Sequence, residues 1–134
     1  MDNKDININI SGKTFNARAS ILIFNSLENK FLVQKRIGDS FWALPGGKVQ
    51  IMEKTKDTIK REIKEEIGLD LIDVKMLSVS ENFFTFKNED IHQYIFTYSG
   101  KLVDNRYENK EEFESIEKGK NVIYRWIDVE NIDD

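Results

Sequence analysis

Two periodicities share one stretch of backbone between Gly47 and Leu69, and together they fix what that stretch folds into. Ile59, Ile63 and Ile67 recur every four residues, the spacing of one apolar helical face. Glu62, Glu65 and Glu66 follow i, i+3, i+4, so the same helix projects them as an acidic edge. At 100° per residue, stripe and edge lie about 110° apart around the axis. Such a helix can bury its isoleucines on a sheet while its flank faces a cleft. Thr55 is the expected N-cap, with Asp57 favourably placed in the first turn, and Gly68 is the expected C′ residue.

Clustered carboxylates repel, and like charges four apart weaken an isolated helix. Glu53 adds a fourth upstream, after a Pro45-Gly46-Gly47 turn, and Arg61 interrupts the acids. A chain that keeps these groups together is expected to hold a cation there. Oxygen-only donors favour Mg²⁺ or Mn²⁺ over zinc. The plain alternative is a solvated helix edge on which these acids alternate with Lys54, Lys56, Lys60 and Lys64.

The segment GKVQIMEKTKDTIKREIKEEIGL resembles the Nudix box, the defining motif of the Nudix hydrolase family. Gly47, Glu53, Arg61, Glu62, Ile63, Glu65, Glu66, Gly68 and Leu69 fill every fixed position of that pattern. Seven of these positions demand one residue type, so chance agreement at a given start is on the order of 10⁻⁸. The resemblance implies an α+β chain with the Nudix fold, an α/β/α sandwich around a mixed β-sheet, formed by residues 1–134 as a single domain. It implies Mg²⁺-dependent hydrolysis of a pyrophosphate bond in a nucleoside diphosphate linked to another moiety. Glu53, Arg61, Glu62, Glu65 and Glu66 would be the catalytic set. Glu62, Glu65 and Glu66 would bind metal with the backbone carbonyl of Gly46. Glu53 would be an outer ligand held by Arg61, as an arginine fork can. The general base in this family is either a box glutamate or one on a distant loop, here Glu111, Glu112, Glu114 or Glu117. Met52 stands where the family very often has glycine, so the loop before Glu53 is expected to take a somewhat different path.

Substrate choice is not written in the box. The absence of a long N-terminal extension tilts the expectation towards nucleoside triphosphates, as a house-cleaning pyrophosphohydrolase. ADP-ribose, nucleotide sugars, dinucleoside polyphosphates and a 5′-triphosphate RNA end are alternatives, as is a non-catalytic nucleotide-sensing Nudix module. A net charge of −4 gives no whole-surface attraction to long nucleic acid, whose binding depends on phosphate neutralisation. A small nucleotide would need local cations: Arg36 and Lys48 are the favoured candidates, with Arg18 and Lys35 behind them. Phe83, Phe84, Phe86, Trp42 and Tyr94 are candidates to stack on a base. His92, the single histidine, reads as an edge-strand residue. The chain has no cysteine, no apolar leader and no run long enough to span a membrane, which suits a cytoplasmic protein, monomer or homodimer.

The remaining pattern predicts strands. Ile6, Ile8 and Ile10 alternate with polar residues, Ser11-Gly12 offers a turn, and 14–24 continues as a β-rich run, the signature of a hairpin. Further strands are expected at 31–35, 71–80, 83–87, 91–98 and 121–127. Residues 104–121 read as one long acidic loop, and Asp128 as the cap of a short terminal helix.

Overall fold

The computed structural model describes residues 3–131. Eight strands and one α-helix follow in the order β1 (Asn7–Ile10), β2 (Lys13–Phe24), β3 (Lys30–Arg36), β4 (Gly46–Lys48), α1 (Thr55–Ile67), β5 (Leu71–Phe86), β6 (Glu89–Leu102), β7 (Glu112–Glu114) and β8 (Val122–Asp128). A single 3₁₀ turn closes the series at Val129–Asn131. The strands form one mixed sheet in the order β5-β6-β2-β3-β8-β7, with β1 and β4 also pairing to β2. The β2–β6 pairing is parallel and the others antiparallel. This is the α+β architecture expected; among the described residues the second helical layer is reduced to the 3₁₀ turn.

Strand β2 organises the molecule because its alternation is the cleanest. Ala17, Ala19, Ile21 and Ile23 are buried and meet Ile59, Ile63 and Ile67 of α1 in the core, with Leu32, Tyr98, Tyr124 and Trp126. The isoleucine stripe therefore does what its spacing predicts. Trp126 is in the core as well, and its indole N–H donates to Tyr107 O at 3.0 Å.

Several local expectations change. The N-terminal hairpin forms, with Ser11 and Gly12 both at positive φ as a two-residue hairpin turn requires. Ile8 and Ile10 nevertheless remain exposed, because β1 is itself an outer strand. Residues 71–80 and 83–87 are not two strands: β5 runs unbroken to Phe86, opposite β6, with irregularities near Asp73 and Leu77. Residues 104–121 are not all loop, since β7 pairs with β8. Pro45-Gly46-Gly47 is not a free turn either, because β4 begins at Gly46 and pairs with Ser20, Ala19 and Arg18.

Candidate active site

The helix that carries the acids begins differently from the expectation. Lys54 is the N-cap residue, in extended conformation and without a side-chain cap. Its carbonyl receives the N–H groups of Asp57 and Thr58, so Thr55 already lies inside the first turn. The Thr55 hydroxyl instead shares a 2.5 Å hydrogen bond with Tyr98 OH, tying the helix start to β6. At the other end Gly68 is left-handed (φ 84°) and its N–H reaches Ile63 O and Lys64 O, the helix stop that glycine permits.

Glu53 is saturated by protein donors. It accepts from Arg61 Nε at 2.8 Å and Nη2 at 3.1 Å, from Thr58 Oγ1 at 2.7 Å and from Gln50 N at 3.1 Å. The Arg61 fork, helped by the other two donors, holds its carboxyl at about 2, well below the usual value. Met52, just before it, adopts φ 65°. The loop therefore keeps the left-handed turn that glycine would take, with methionine bearing the strain.

Arg61 also reaches Glu62 Oε1 at 2.9 Å, Lys48 O at 3.3 Å and, more loosely, Glu65 Oε2 at 3.6 Å. Ile21 N–H donates to Pro45 O and Val49 N–H to Ala17 O, so odd residues of this edge face β2. Antiparallel alternation then turns the Lys48 and Gly46 carbonyls the other way. Gly46 thus presents its oxygen on the side where Lys48 meets Arg61.

Glu62 and Glu66 lie together beneath this edge. Burial pushes both carboxyls up, and Glu66, with the Glu62 charge adding to its burial, titrates at about 7. Glu66 is 3% exposed. Its Oε2, Glu117 Oε2 and Tyr124 OH are buried without a hydrogen-bond partner. Glu65 does not join them: its side chain is 46% exposed and leans towards Arg61. Among the described residues no three acidic or histidine side chains close around a common point. A carboxylate that can reach water and an arginine gains nothing by moving beside two others.

The loop before β8 completes the arrangement. Ser115 Oγ and Ile116 N both donate to Glu66 O, at 2.9 and 2.8 Å. This brings Glu117 close enough for its charge to raise Glu66, while Lys120 acts on Glu62 and Glu66 in the opposite sense. Of the four loop acids, Glu117 is therefore the one at the site. Glu112 pairs with Arg125, and Glu111 and Glu114 are exposed.

These groups open onto a cleft of about 480 Å³. Its lining includes Gly46, Gly47, Glu62 and Glu66 on the acidic side, and Arg18, Lys35, Arg36, Lys48 and Lys120 on the basic side. Both favoured cations, Arg36 and Lys48, are thus present. Arg18 was ranked behind them, yet it is the most deeply set: burial lowers its pKa, while Glu62 and Glu66 hold it up. Lys120 escaped the sequence reading, because nothing in the sequence separates it from Arg106, Lys110 and Lys118 of the same loop.

The aromatic candidates and His92 lie elsewhere. Strand β6 runs between β5 and β2, so His92 is not at an edge. Its ring stacks on Phe83 at 4.4 Å and meets Phe15 and Tyr94 edge-on. Trp42 is covered by Lys35 and Arg125, at 5.1 and 4.8 Å from its ring.

The donor set suits a hard divalent cation in three respects. Every donor is oxygen, one buried carboxylate oxygen of Glu66 lacks a partner, and the backbone at Gly47 is pressed so close that a Cβ there would lie 2.4 Å from Glu62 Cδ. By fold and site the molecule is an α+β domain with an acidic helix edge facing a basic cleft.

The chain belongs to the NUDIX domain family, whose model matches residues 14–134. It is similar to an RNA pyrophosphohydrolase of Pseudoalteromonas atlantica, 36% identical over 78 residues, covering 58% of this chain and 44% of that protein. It is also similar to the 8-oxo-dGDP phosphatase NUDT18 of Danio rerio, 34% identical over 62 residues, covering 45% of this chain and 19% of that one. The chain thus spans less than half the length of these curated relatives. Among solved structures, a MutT protein from Bacillus halodurans superposes with a TM-score of 0.66 at 15% identity, covering 87% of this chain and 71% of that one. A MutT protein from Methanosarcina mazei Go1 gives 0.60 at 22% identity, covering 92% and 83%. At these identities the structural likeness speaks for the fold. No helix among the described residues is long and apolar enough to cross a membrane.

Proposed function

We propose that this domain hydrolyses the pyrophosphate bond of a nucleoside diphosphate linked to another group, with a nucleoside triphosphate as substrate and Mg²⁺ or Mn²⁺ as cofactor. The observation that carries the reading is the meeting of half-buried Glu62 and buried Glu66 with five cationic side chains in one cleft. An acidic edge alone would be a solvated helix face; one set in a cleft whose other wall is cationic suits a metal ion that bridges to a polyanion.

Glu62, Glu66 and the Gly46 carbonyl are the proposed metal donors, with Glu65 joining from the exposed rim. When bound, the metal would neutralise phosphate charge and acidify a water. Arg61 fixes Glu53 and Glu62 relative to β4, so the donors are held before substrate arrives. Lys48, Arg36 and Arg18 receive phosphate oxygens, where charge-assisted contacts are strongest. Glu117, with its buried carboxylate oxygen beside Glu66, is the proposed acceptor of the proton lost by the attacking water.

The test is a product screen with Mg²⁺ and with Mn²⁺ across nucleoside triphosphates, ADP-ribose, a nucleotide sugar, a dinucleoside polyphosphate and a 5′-triphosphate RNA. Metal-dependent turnover of the triphosphates is expected, with a loss of about 100-fold or more in Glu66→Gln. No turnover of any substrate would sink the reading, and tight binding without turnover would favour the sensing module. The name of the Pseudoalteromonas atlantica relative, an RNA pyrophosphohydrolase, favours a second reading in which the substrate is a 5′-triphosphate RNA, and the same screen separates the two.

A further inference from the structure

We infer that Phe41 is the platform on which the base of a nucleoside polyphosphate stacks, an inference that rests on the cleft's binding a phosphorylated nucleoside. The cleft is otherwise lined by charged, polar and small residues and by Val122; Phe41 is the aromatic side chain in its wall, and it is 62% exposed. An isolated exposed phenylalanine needs no explanation. Here, however, the ring stands in the same recess as Lys35, Arg36 and Lys48, in a volume of about 480 Å³ that suits a small ligand. Cations together with one open aromatic face fit a ligand that is anionic at one end and flat at the other.

The aromatic residues that the sequence offered for this task are already engaged. Trp42 is covered by Lys35 and Arg125, and Phe83 lies on His92. The loop bearing Phe41 is fixed at both ends. Asp39 N–H closes a turn on Arg36 O at 2.9 Å, and Gln34 and Ala43 exchange two backbone hydrogen bonds at 2.8 Å. The backbone on either side of Phe41 is thereby anchored at the cleft before any ligand enters, which lowers the ordering cost of binding.

The experiment measures equilibrium binding, with Mg²⁺, of the α,β-methylene analogue of ATP, a 5′-triphosphate dinucleotide carrying the same α,β-methylene bridge, and inorganic tripolyphosphate. Phe41→Ala should weaken one or both nucleotide ligands about tenfold, as expected for removal of a base-stacking ring, and leave tripolyphosphate unchanged. Phe41→Tyr should bind as the wild type does. A loss limited to the analogue or to the dinucleotide tells whether the base comes from a free nucleotide or an RNA end. The proposal falls if Phe41→Ala leaves both nucleotides within twofold, if it weakens tripolyphosphate equally, or if the wild type binds neither nucleotide. Binding that depends on Phe41 with no turnover of any substrate in the screen would overturn the hydrolase reading while leaving the platform in place.

Discussion

Replacing Arg61 with alanine should destabilise the protein through Glu53 more than through any other partner. Glu53 titrates at about 2 rather than 4.5, and 2.5 units correspond to roughly 3.4 kcal/mol. Thr58 and Gln50 account for part of that shift, and solvent at the rim screens the pair, so about 2 kcal/mol falls to Arg61. For a domain of this size the melting temperature should drop by about 8 °C. Arg61→Lys should recover less than half, because an ammonium cannot form the fork to both carboxylate oxygens. The folded carboxyl is depressed, so its contribution is complete above the unfolded value of 4.5 and is lost as pH falls towards 2. Urea titrations followed by tryptophan fluorescence in EDTA, at pH 7 and pH 3.5, provide the measurement. The gap between wild type and Arg61→Ala should shrink by about a fifth at the lower pH. A gap below about 0.5 kcal/mol at pH 7, or one indifferent to pH, would refute the reasoning.

Three further outcomes are expected. Gly46→Ala should cost more than about 2 kcal/mol, because its Cβ would stand 2.1 Å from the Ala19 carbonyl oxygen and force β4 off β2; Gly47→Ala, whose Cβ has the movable Glu62 side chain as its nearest neighbour, should spare stability and cut turnover about 100-fold. Comparing melting curves with turnover separates the two, and equal destabilisation would contradict the assignment. Met52→Gly should raise stability by about 0.5–1 kcal/mol by relieving the positive φ, and denaturant titration showing a loss would mean the strain is not there. Mn²⁺ at about 100 times its dissociation constant should stabilise the wild type by about 2.7 kcal/mol and Glu66→Gln far less; equal thermal shifts in both would remove Glu66 from the metal site.

What could be read from the sequence was local. The helix, its buried stripe and its glycine stop all follow from spacings of a few residues, the Arg61–Glu53 pairing follows from the family resemblance, and the structure keeps each of them. What escaped depends on distant pairing. Residues 80–82 look polar enough to break a strand, yet their partners on β6 carry β5 straight through. The acidic segment 112–114 looks like loop until β8 lies beside it. Glu117 could not be separated from three neighbouring glutamates, because its place is fixed by two hydrogen bonds from Ser115 and Ile116 to the end of a helix about fifty residues earlier. The two glycines before the helix read as part of a Pro-Gly-Gly turn in the sequence. Their role here is space, since neither is at positive φ and both sit where a Cβ would collide.

Those same two hydrogen bonds to Glu66 O have a bearing on how the molecule tolerates change. They latch the downstream segment onto the backbone of the very residue whose side chain lies deepest in the cleft, so Glu117, Lys120 and Glu66 travel as one piece. Extra residues inserted near Asn105 or Asn109 would bulge into solvent and leave that unit whole. An insertion between Ser115 and Lys120 would unhook the latch, and the two carboxylates and the lysine would lose their common frame together.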